Sequence, residues 1–169
     1  MRPKISGKKK SDLIPNRVLY MLHNSLPYES GGYATRSHGL LCGVRQNGWD
    51  IQAVTRLAYP LDLTKHHGKS IPPKSEVDGV IYHRLEPNEI GYRDIPLLEY
   101  IQGYAEKLYE STMKLKPSIL HGASNHMNGH AANLVAKQLG IPSVYEVRGL
   151  WEITRASRQP NWFGSEQYR

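Results

Sequence analysis

Short apolar runs alternate along the chain with longer segments of helical periodicity. The clearest run, residues 17–22, reads Arg-Val-Leu-Tyr-Met-Leu without polar alternation. Such a run is typical of a strand buried on both faces of a parallel sheet. Similar runs predict four further strands, at residues 49–55, 77–85, 118–121 and 142–147.

Three segments between these strands are predicted to be helices. The first follows Gly31-Gly32 and ends at Asn47-Gly48, where glycine suits the left-handed conformation that closes a helix. The second, residues 96–115, stops before a proline, and the third covers residues 129–139. Strands that alternate with helices predict an α/β fold, a Rossmann-like, doubly wound parallel sheet.

One segment interrupts this alternation. Residues 56–75 are polar and rich in proline, and we expect no regular structure in them. Asp78-Gly79 is a candidate turn before the third strand. We therefore predict one domain over residues 17–169, preceded by a disordered basic tail at residues 1–16.

Polar side chains collect in the loops that follow the predicted strands. In an open parallel sheet, ligands bind outside the carboxyl ends of the strands. The loops that this rule selects begin at residues 23–25, 55–56, 121–125 and 148–149. They are rich in His, Asn, Ser, Arg and Gly, which suits a polar, polyhydroxylated or phosphorylated ligand.

The composition is that of a globular protein with a core, since 39% of the residues are hydrophobic and 22% are charged. The single Cys42 excludes an internal disulfide, and its apolar neighbours favour a buried, inert thiol over a nucleophile. No run approaches the roughly 18 apolar residues of a membrane span, and the N-terminus does not resemble a signal peptide. We expect a cytoplasmic protein.

The net charge of +7 is concentrated near the N-terminus. Residues 1–12 hold five basic residues and one acidic residue, which contribute +4 and leave +3 for the rest. This tail could make a peripheral contact with phosphates or with the inner face of a membrane. The 11 tyrosines scatter through the predicted strands and helices instead of interleaving with Lys and Arg, so we expect no nucleic-acid partner.

Gly31 and Gly32 precede the first predicted helix, where backbone N–H groups and the helix dipole can hold an anion. A tight turn between strand and helix explains the two glycines equally well. The dinucleotide fingerprint G-x-G-x-x-G is not matched here, which argues against NAD. Arg36, one turn into the helix, could reach a phosphate, although a solvated or ion-paired arginine is the simpler interpretation.

Arg148 follows the last predicted strand and therefore faces the ligand-binding edge. An ion pair, with Glu146 two residues earlier, would be a purely structural role. The position at the edge favours contact with a phosphate or a sugar hydroxyl.

His126 and His130 are four residues apart, with His121 nearby, and three histidines can hold zinc. However, Gly129 lies between the pair, no glutamate follows the first histidine and no cysteine joins them. Polar loop histidines are the favoured interpretation, and we expect no metal.

Three stretches resemble the N-terminal domain of the family 4 glycosyltransferases, which have the GT-B fold. The first is Gly31-Gly32 with the helix and strand that end at Asn47-Gly48-Trp49-Asp50-Ile51. The second is Leu120-His121-Gly122-Ala123-Ser124, followed by Gly140-Ile141-Pro142-Ser143-Val144-Tyr145. The third and most specific is Tyr145-Glu146-Val147-Arg148-Gly149-Leu150-Trp151-Glu152.

The resemblance implies a retaining enzyme that transfers a sugar from a nucleotide-sugar donor to an acceptor hydroxyl, without a metal or another cofactor. It implies that the N-terminal domain holds the acceptor, a glycan or a lipid-linked molecule, while a C-terminal domain grips the nucleotide. The expected substrate- and phosphate-binding residues are Gly31, Gly32, Arg36, Ser124, Asn125, Arg148 and Gly149.

Two positions depart from the family pattern. Many members read His-x-His-Ser at the end of the fourth strand, and here Ala123 replaces the second histidine, which leaves His121 as the catalytic candidate. Many members carry histidine after the fifth strand, where this chain has Arg148.

The second Rossmann domain of the family has no counterpart in this sequence. We therefore expect no turnover from these residues alone, because one wall of the cleft cannot position both substrates. A stand-alone module that binds a glycan or a sugar phosphate is the alternative to an enzyme domain. Self-association of the single domain is also expected.

Overall fold

A computed structural model describes residues 13–85 and 90–165 of the chain. The strands are β1 (Ile14–Leu22), β2 (Asp50–Thr55), β3 (Lys74–Val77), β4 (Val80–His83), β5 (Pro117–Ala123) and β6 (Ser143–Glu146). The helices are α1 (Gly32–Gln46), α2 (Leu97–Leu115), α3 (His126–Leu139) and α4 (Trp151–Ala156), with short 3₁₀ helices at Thr64–His66 and Trp162–Gly164.

The six strands form one sheet in the order β3-β4-β2-β1-β5-β6. Five strands are parallel, as predicted, but β3 pairs antiparallel with β4 at one edge. The predicted turn at Asp78-Gly79 joins them, with φ angles of 48° and 75°. Two successive residues with positive φ close a two-residue hairpin, so β3 must run back along β4.

The side chains of β1 alternate between two packed layers. Leu19 and Met21 belong to the core formed with α2 and α3, whereas Val18 and Leu22 belong to the core formed with α1. Helices therefore cover both faces of the sheet, and the predicted Rossmann-like α/β fold is confirmed. Cys42 packs partly buried against the α1 core and is a free thiol.

Strand β1 begins three residues earlier than expected, at Ile14 instead of residue 17. The backbone N–H of Ile14 donates to the carbonyl of Lys116, 2.8 Å away, and so extends the strand. Residues 13–16 of the predicted tail are thus ordered. Residues 1–12 lie outside the described part of the chain.

The prediction of no regular structure holds for residues 56–63, which contain turns and no helix or strand, but it is wrong at the 3₁₀ helix Thr64–His66 and at residues 74–75, which begin β3. The turns are nevertheless packed into the interior. Arg56 and Tyr59 are each only 1% exposed. The Tyr59 hydroxyl donates to the carbonyl of Ser25 at 2.7 Å, and Arg56 forms an ion pair with Asp62. Polar side chains that turn inward and bond to one another leave no hydrophobic periodicity, so the sequence pattern did not reveal that residues 56–61 are buried.

Helix α3 begins at His126, three residues before the predicted start, and lies directly on β6. A Cβ on Gly129 would lie 2.6 Å from the ring of Tyr145, so only glycine allows this approach. Gly140 ends the helix with φ 67°, the left-handed conformation expected of it. Within residues 13–85 and 90–165, no helix has the length and apolarity to cross a bilayer.

Candidate functional site

Two cavities open at the carboxyl edge of the sheet, on either side of its topological switch point. From the central strand β1 the chain first builds β2 and β4 on one side, and later β5 and β6 on the other. Ligands of doubly wound proteins bind where the strand order reverses in this way. These two cavities therefore lie at the edge of the sheet that was chosen from the sequence.

The larger cavity, here called the β5–β6 cavity, has a volume of about 920 Å³. It lies against the loops after β5 and β6 and against the start of α1. Four residues expected from the sequence line it, namely Ser124, Asn125, Arg148 and Gly149. Its other described lining residues are Tyr33, His126, Tyr145, Val147, Leu150, Thr154, Arg155, Arg158 and Gln159.

Arg148 is held on three sides behind this cavity, and its side chain is only 6% exposed. Its Nε donates to Glu146 at 2.8 Å, and one Nη1 hydrogen bond reaches Ser37 at 2.6 Å. Its Nη2 donates to the Tyr20 hydroxyl at 2.7 Å and to Glu146 at 3.2 Å. Four of the five N–H groups of the guanidinium thus donate to protein atoms. Contact between the fifth N–H and a phosphate or sugar stays a prediction.

Glu146 is the common acceptor of this cluster. Besides Arg148, it accepts hydrogen bonds from the Tyr20 hydroxyl and from Nε2 of His121, the latter at 3.2 Å. Burial alone would raise the pKa of Glu146, but the hydrogen bonds from Arg148 and Tyr20 outweigh it and lower that pKa. Burial, followed by the bond to Glu146, raises the pKa of Tyr20. Glu146 therefore remains a carboxylate and Tyr20 keeps its proton.

His121, the catalytic candidate, lies within β5 and stacks on the Tyr20 ring with centroids 4.2 Å apart. It is not among the described residues that line the β5–β6 cavity. Burial lowers the pKa of His121, and Glu146 opposes that shift only in part. The structure thus places His121 in the cluster behind Arg148, and its catalytic role stays a prediction.

Ser124 and Asn125 organise the loop between β5 and α3. The Ser124 hydroxyl accepts from the backbone N–H of Arg148 at 2.8 Å and so joins this loop to the loop after β6. The Asn125 side chain caps α3, since its oxygen accepts from the backbone N–H of Met127 at 3.2 Å. Both residues line the cavity while they fix its wall.

Gly31, Gly32 and Arg36 are not brought to the cavity. Gly31 is the N-cap of α1 and Gly32 its first residue; both are exposed, and no atom lies within 4 Å of a Cβ built on either. Arg36 is exposed and makes no hydrogen bond or ion pair to the described residues. The residue after Gly32, Tyr33, is the one that α1 contributes to the described lining of the cavity.

Sequence reasoning missed Tyr20, Ser37, Arg155 and Arg158. Tyr20 did carry a signal, because a hydroxyl on a strand buried on both faces needs a partner. Arg155 and Arg158 lie beyond the last predicted strand, where no periodic pattern pointed to them. Arg155 donates to Gln159 at 3.1 Å.

Of the three histidines considered as zinc ligands, only His126 and His130 contact each other. The rings of His126 and His130 meet edge to face, with centroids 6.1 Å apart. No group of three His, Cys, Asp or Glu residues in the described ranges could hold a metal ion.

A second cavity, here called the β1–β2 cavity, has a volume of about 540 Å³ and lies beyond the ends of those strands. Among its described lining residues, Arg56 and Arg93 are balanced by Asp62 and Asp94. Burial, together with nearby Arg56 and Arg93, lowers the pKa of His23 to about 3. The remaining described lining residues are Asn24, Leu63, Thr64, His67, Ile90, Gly91 and Tyr92.

Comparison with solved structures finds the same fold in sucrose-phosphate synthase from Thermosynechococcus elongatus. The TM-score is 0.64 at 16% identity, over 90% of this chain and 36% of that chain. A separate structure of part of that synthase gives a TM-score of 0.52 at 16% identity, over 83% of this chain and 67% of the other. MurG from Acinetobacter baumannii is similar over 85% of this chain and 39% of its own, with 19% identity and a TM-score of 0.46.

This chain spans 36% of the length of the synthase, and at such low identity the likeness shows the fold alone. A search of curated protein sequences gives no match. The family model described as a glycosyl transferase 4-like domain matches residues 31–169, which is most of the chain. The resemblance read from the sequence is confirmed: the chain belongs to the glycosyl transferase 4-like domain family.

Proposed function

We propose that this domain forms the acceptor side of a retaining glycosyltransferase, which transfers a sugar from a nucleotide-sugar donor to an acceptor hydroxyl. The observation that carries the proposal is the β5–β6 cavity at the switch point of the sheet. Its described lining includes Arg148, Arg155 and Arg158 and no carboxylate. The cavity therefore suits an anionic ligand.

Phosphate groups are the anions that this chemistry provides. The leaving group of a nucleotide sugar is a phosphate ester, and fixed positive groups stabilise the charge that develops on it. Arg155 lines the cavity from α4 and Arg158 from the turn after it, while Arg148 has one N–H left for a ligand. In this proposal His121 and Glu146 act together to orient Arg148.

The acceptor would lie in the same cavity beside the donor phosphates and present its hydroxyl to the donor sugar, while a second domain grips the nucleotide. A glycan or a lipid-linked acceptor that carries phosphate fits the arginine-rich lining. Residues 1–169 correspond to about a third of the matched synthase, so they are expected to bind without turnover. A peripheral membrane contact through the basic tail, cytoplasmic residence and self-association stay predictions.

Titration of the ¹⁵N-labelled chain with glucose 6-phosphate, UDP-glucose and GDP-mannose tests the proposal. We expect amide shifts around residues 124–126 and 148–158 that weaken with salt, because charged contacts are screened. Arg155→Gln with Arg158→Gln should weaken binding at least tenfold, whereas Arg36→Gln, on an exposed arginine outside the cavity, should not.

Two results would overturn parts of this proposal. If no phosphorylated probe shifts these amides, the β5–β6 cavity is not the substrate site. If purified residues 1–169 release nucleotide from a sugar nucleotide in the presence of an acceptor, the expected inactivity is wrong. Binding without turnover in a longer form that carries a second Rossmann domain would favour the binding module instead.

A further inference from the structure

The β1–β2 cavity contains buried polar atoms that nothing in the described structure satisfies. His23 Nδ1, Asn24 Oδ1, Arg56 Nε and Asp62 Oδ1 are all buried and have no hydrogen-bond partner among residues 13–85 and 90–165. Buried polar groups in folded proteins are almost always paired. Four of them around one cavity of ligand size therefore indicate groups whose partners arrive with a bound molecule.

The cavity is held in shape by contacts that do not use these atoms. The Arg56 guanidinium lies 5.2 Å from the ring centroid of Tyr59 and 5.3 Å from that of Tyr92. The Tyr92 ring also meets the His23 ring edge to face at 5.6 Å. The backbone at Gly91 closes onto Asp62, since a Cβ on Gly91 would lie 2.8 Å from the Asp62 Cβ. The side chains around the cavity are thus fixed before any ligand enters.

The charges of the described lining residues cancel. Arg56 is already paired with Asp62, and Arg93 is matched by Asp94 on the same loop. His23 is neutral at physiological pH, because burial holds its pKa at about 3. An anion entering here would meet two carboxylates, unlike an anion entering the β5–β6 cavity.

We propose that the β1–β2 cavity binds a neutral, polyhydroxylated ligand, a sugar ring or a cyclitol. Each hydroxyl both donates and accepts. Hydroxyls of such a ligand would donate to Asp62 Oδ1 and Asn24 Oδ1 and would accept from Arg56 Nε. The inference goes beyond the proposed function, since it concerns a different cavity and requires no transfer step.

The test is a second titration of the ¹⁵N-labelled chain, with methyl α-D-glucopyranoside, methyl α-D-mannopyranoside and myo-inositol, and with inorganic phosphate for comparison. We expect at least one neutral probe to shift the amides of residues 23–25, 62–64 and 91–94. Phosphate should leave these amides unchanged.

Asn24→Ala is the decisive variant. It should weaken the responding probe about tenfold, the effect of one lost hydrogen bond. It should still fold, because the Asn24 oxygen has no partner in the described structure. Asn24→Leu provides a second, bulkier test, and Asn133→Ala, on an exposed position of α3 that lines neither cavity, is the matched control.

The proposal is overturned if no neutral probe shifts these amides, if phosphate shifts them instead, or if Asn24→Ala binds as tightly as the unchanged chain. Failure here is distinguishable from failure of the proposed function. That function is tested by phosphorylated probes at residues 124–126 and 148–158, and the two groups of amides do not overlap.

Discussion

The two cavities differ in whether the buried polar groups beside them have hydrogen-bond partners within the protein. Next to the β5–β6 cavity, Arg148 and Glu146 satisfy each other and are completed by Tyr20 and Ser37. Next to the β1–β2 cavity, the Arg56–Asp62 ion pair leaves one buried atom on each partner without a hydrogen bond. The first cluster is a scaffold that holds the wall of the β5–β6 cavity in place without a ligand. The second becomes fully hydrogen-bonded only when a ligand supplies the missing partners.

Among the substitutions that test this comparison, Arg56→Met should lower the free energy of unfolding most. It leaves Asp62, whose side chain is 6% exposed, without its cation. Loss of one partner of a buried pair destabilises by about 3–5 kcal/mol, and we expect about 4 kcal/mol by urea denaturation. Arg93→Met, on an exposed arginine of the same cavity, should cost less than about 1 kcal/mol. Equal losses in the two variants would contradict a structural role for the Arg56–Asp62 pair.

Arg148→Met should lower the free energy of unfolding by about 3 kcal/mol in urea denaturation, somewhat less than Arg56→Met. Its partner Glu146 is 24% exposed, so water can partly replace the lost hydrogen bonds. Arg36→Met is the control and should change the free energy of unfolding by less than about 0.5 kcal/mol. If Arg148→Met changes the free energy of unfolding as little as this control does, the cluster of Arg148, Glu146, Tyr20 and Ser37 does not act as a scaffold.

The two regions should also differ in their dependence on pH. His23 has a pKa of about 3 in the folded chain, below the usual value for histidine, so its neutral form is favoured by folding. Its contribution is fully present above the unfolded pKa and is lost as pH falls from about 6.5 toward 3.

From pH 7 to pH 5 this loss should reach about 2 kcal/mol, and His23→Gln should remove it from the pH profile of unfolding. His121 has a lowered pKa too, but Glu146 offsets part of the effect of burial. His121→Gln should therefore change the pH profile less. If His121→Gln changes the pH profile of unfolding more than His23→Gln does, the predicted difference between the two regions is wrong.

The smallest effect on stability is expected from Asn24→Ala. Removal of a buried acceptor without a partner relieves a desolvation cost, so the melting temperature should stay constant or rise by a few degrees. A drop of more than about 5 °C would show that the Asn24 side chain stabilises the ligand-free fold.

The sequence predicted the parallel core and the loops of both cavities because these features follow from hydrophobic runs and from one rule of topology. The loops at residues 23–25 and 55–56 border the β1–β2 cavity, and those at residues 121–125 and 148–149 border the β5–β6 cavity. What the sequence did not predict depends on which way polar side chains point.

Arg148 illustrates that limit. Its place at the ligand-binding edge was read correctly, but its guanidinium turns back to Tyr20 and Ser37, which are more than 100 residues away in sequence. The same applies to Arg56 and Asp62, whose pairing made an apparently polar segment part of the interior. Hydrophobic periodicity records which residues avoid water and carries no information about which polar groups find each other.

The Arg148 side chain also has a consequence for local opening of the sheet. As an edge strand in the described structure, β6 is bonded to a neighbour on one side only, so its amides would ordinarily be among the first in the sheet to exchange with solvent. Arg148 connects the end of β6 to Tyr20 on the central strand and to Ser37 on α1. Opening of the edge must break these bonds as well, and exchange of the β6 amides should therefore be slowed toward that of β1.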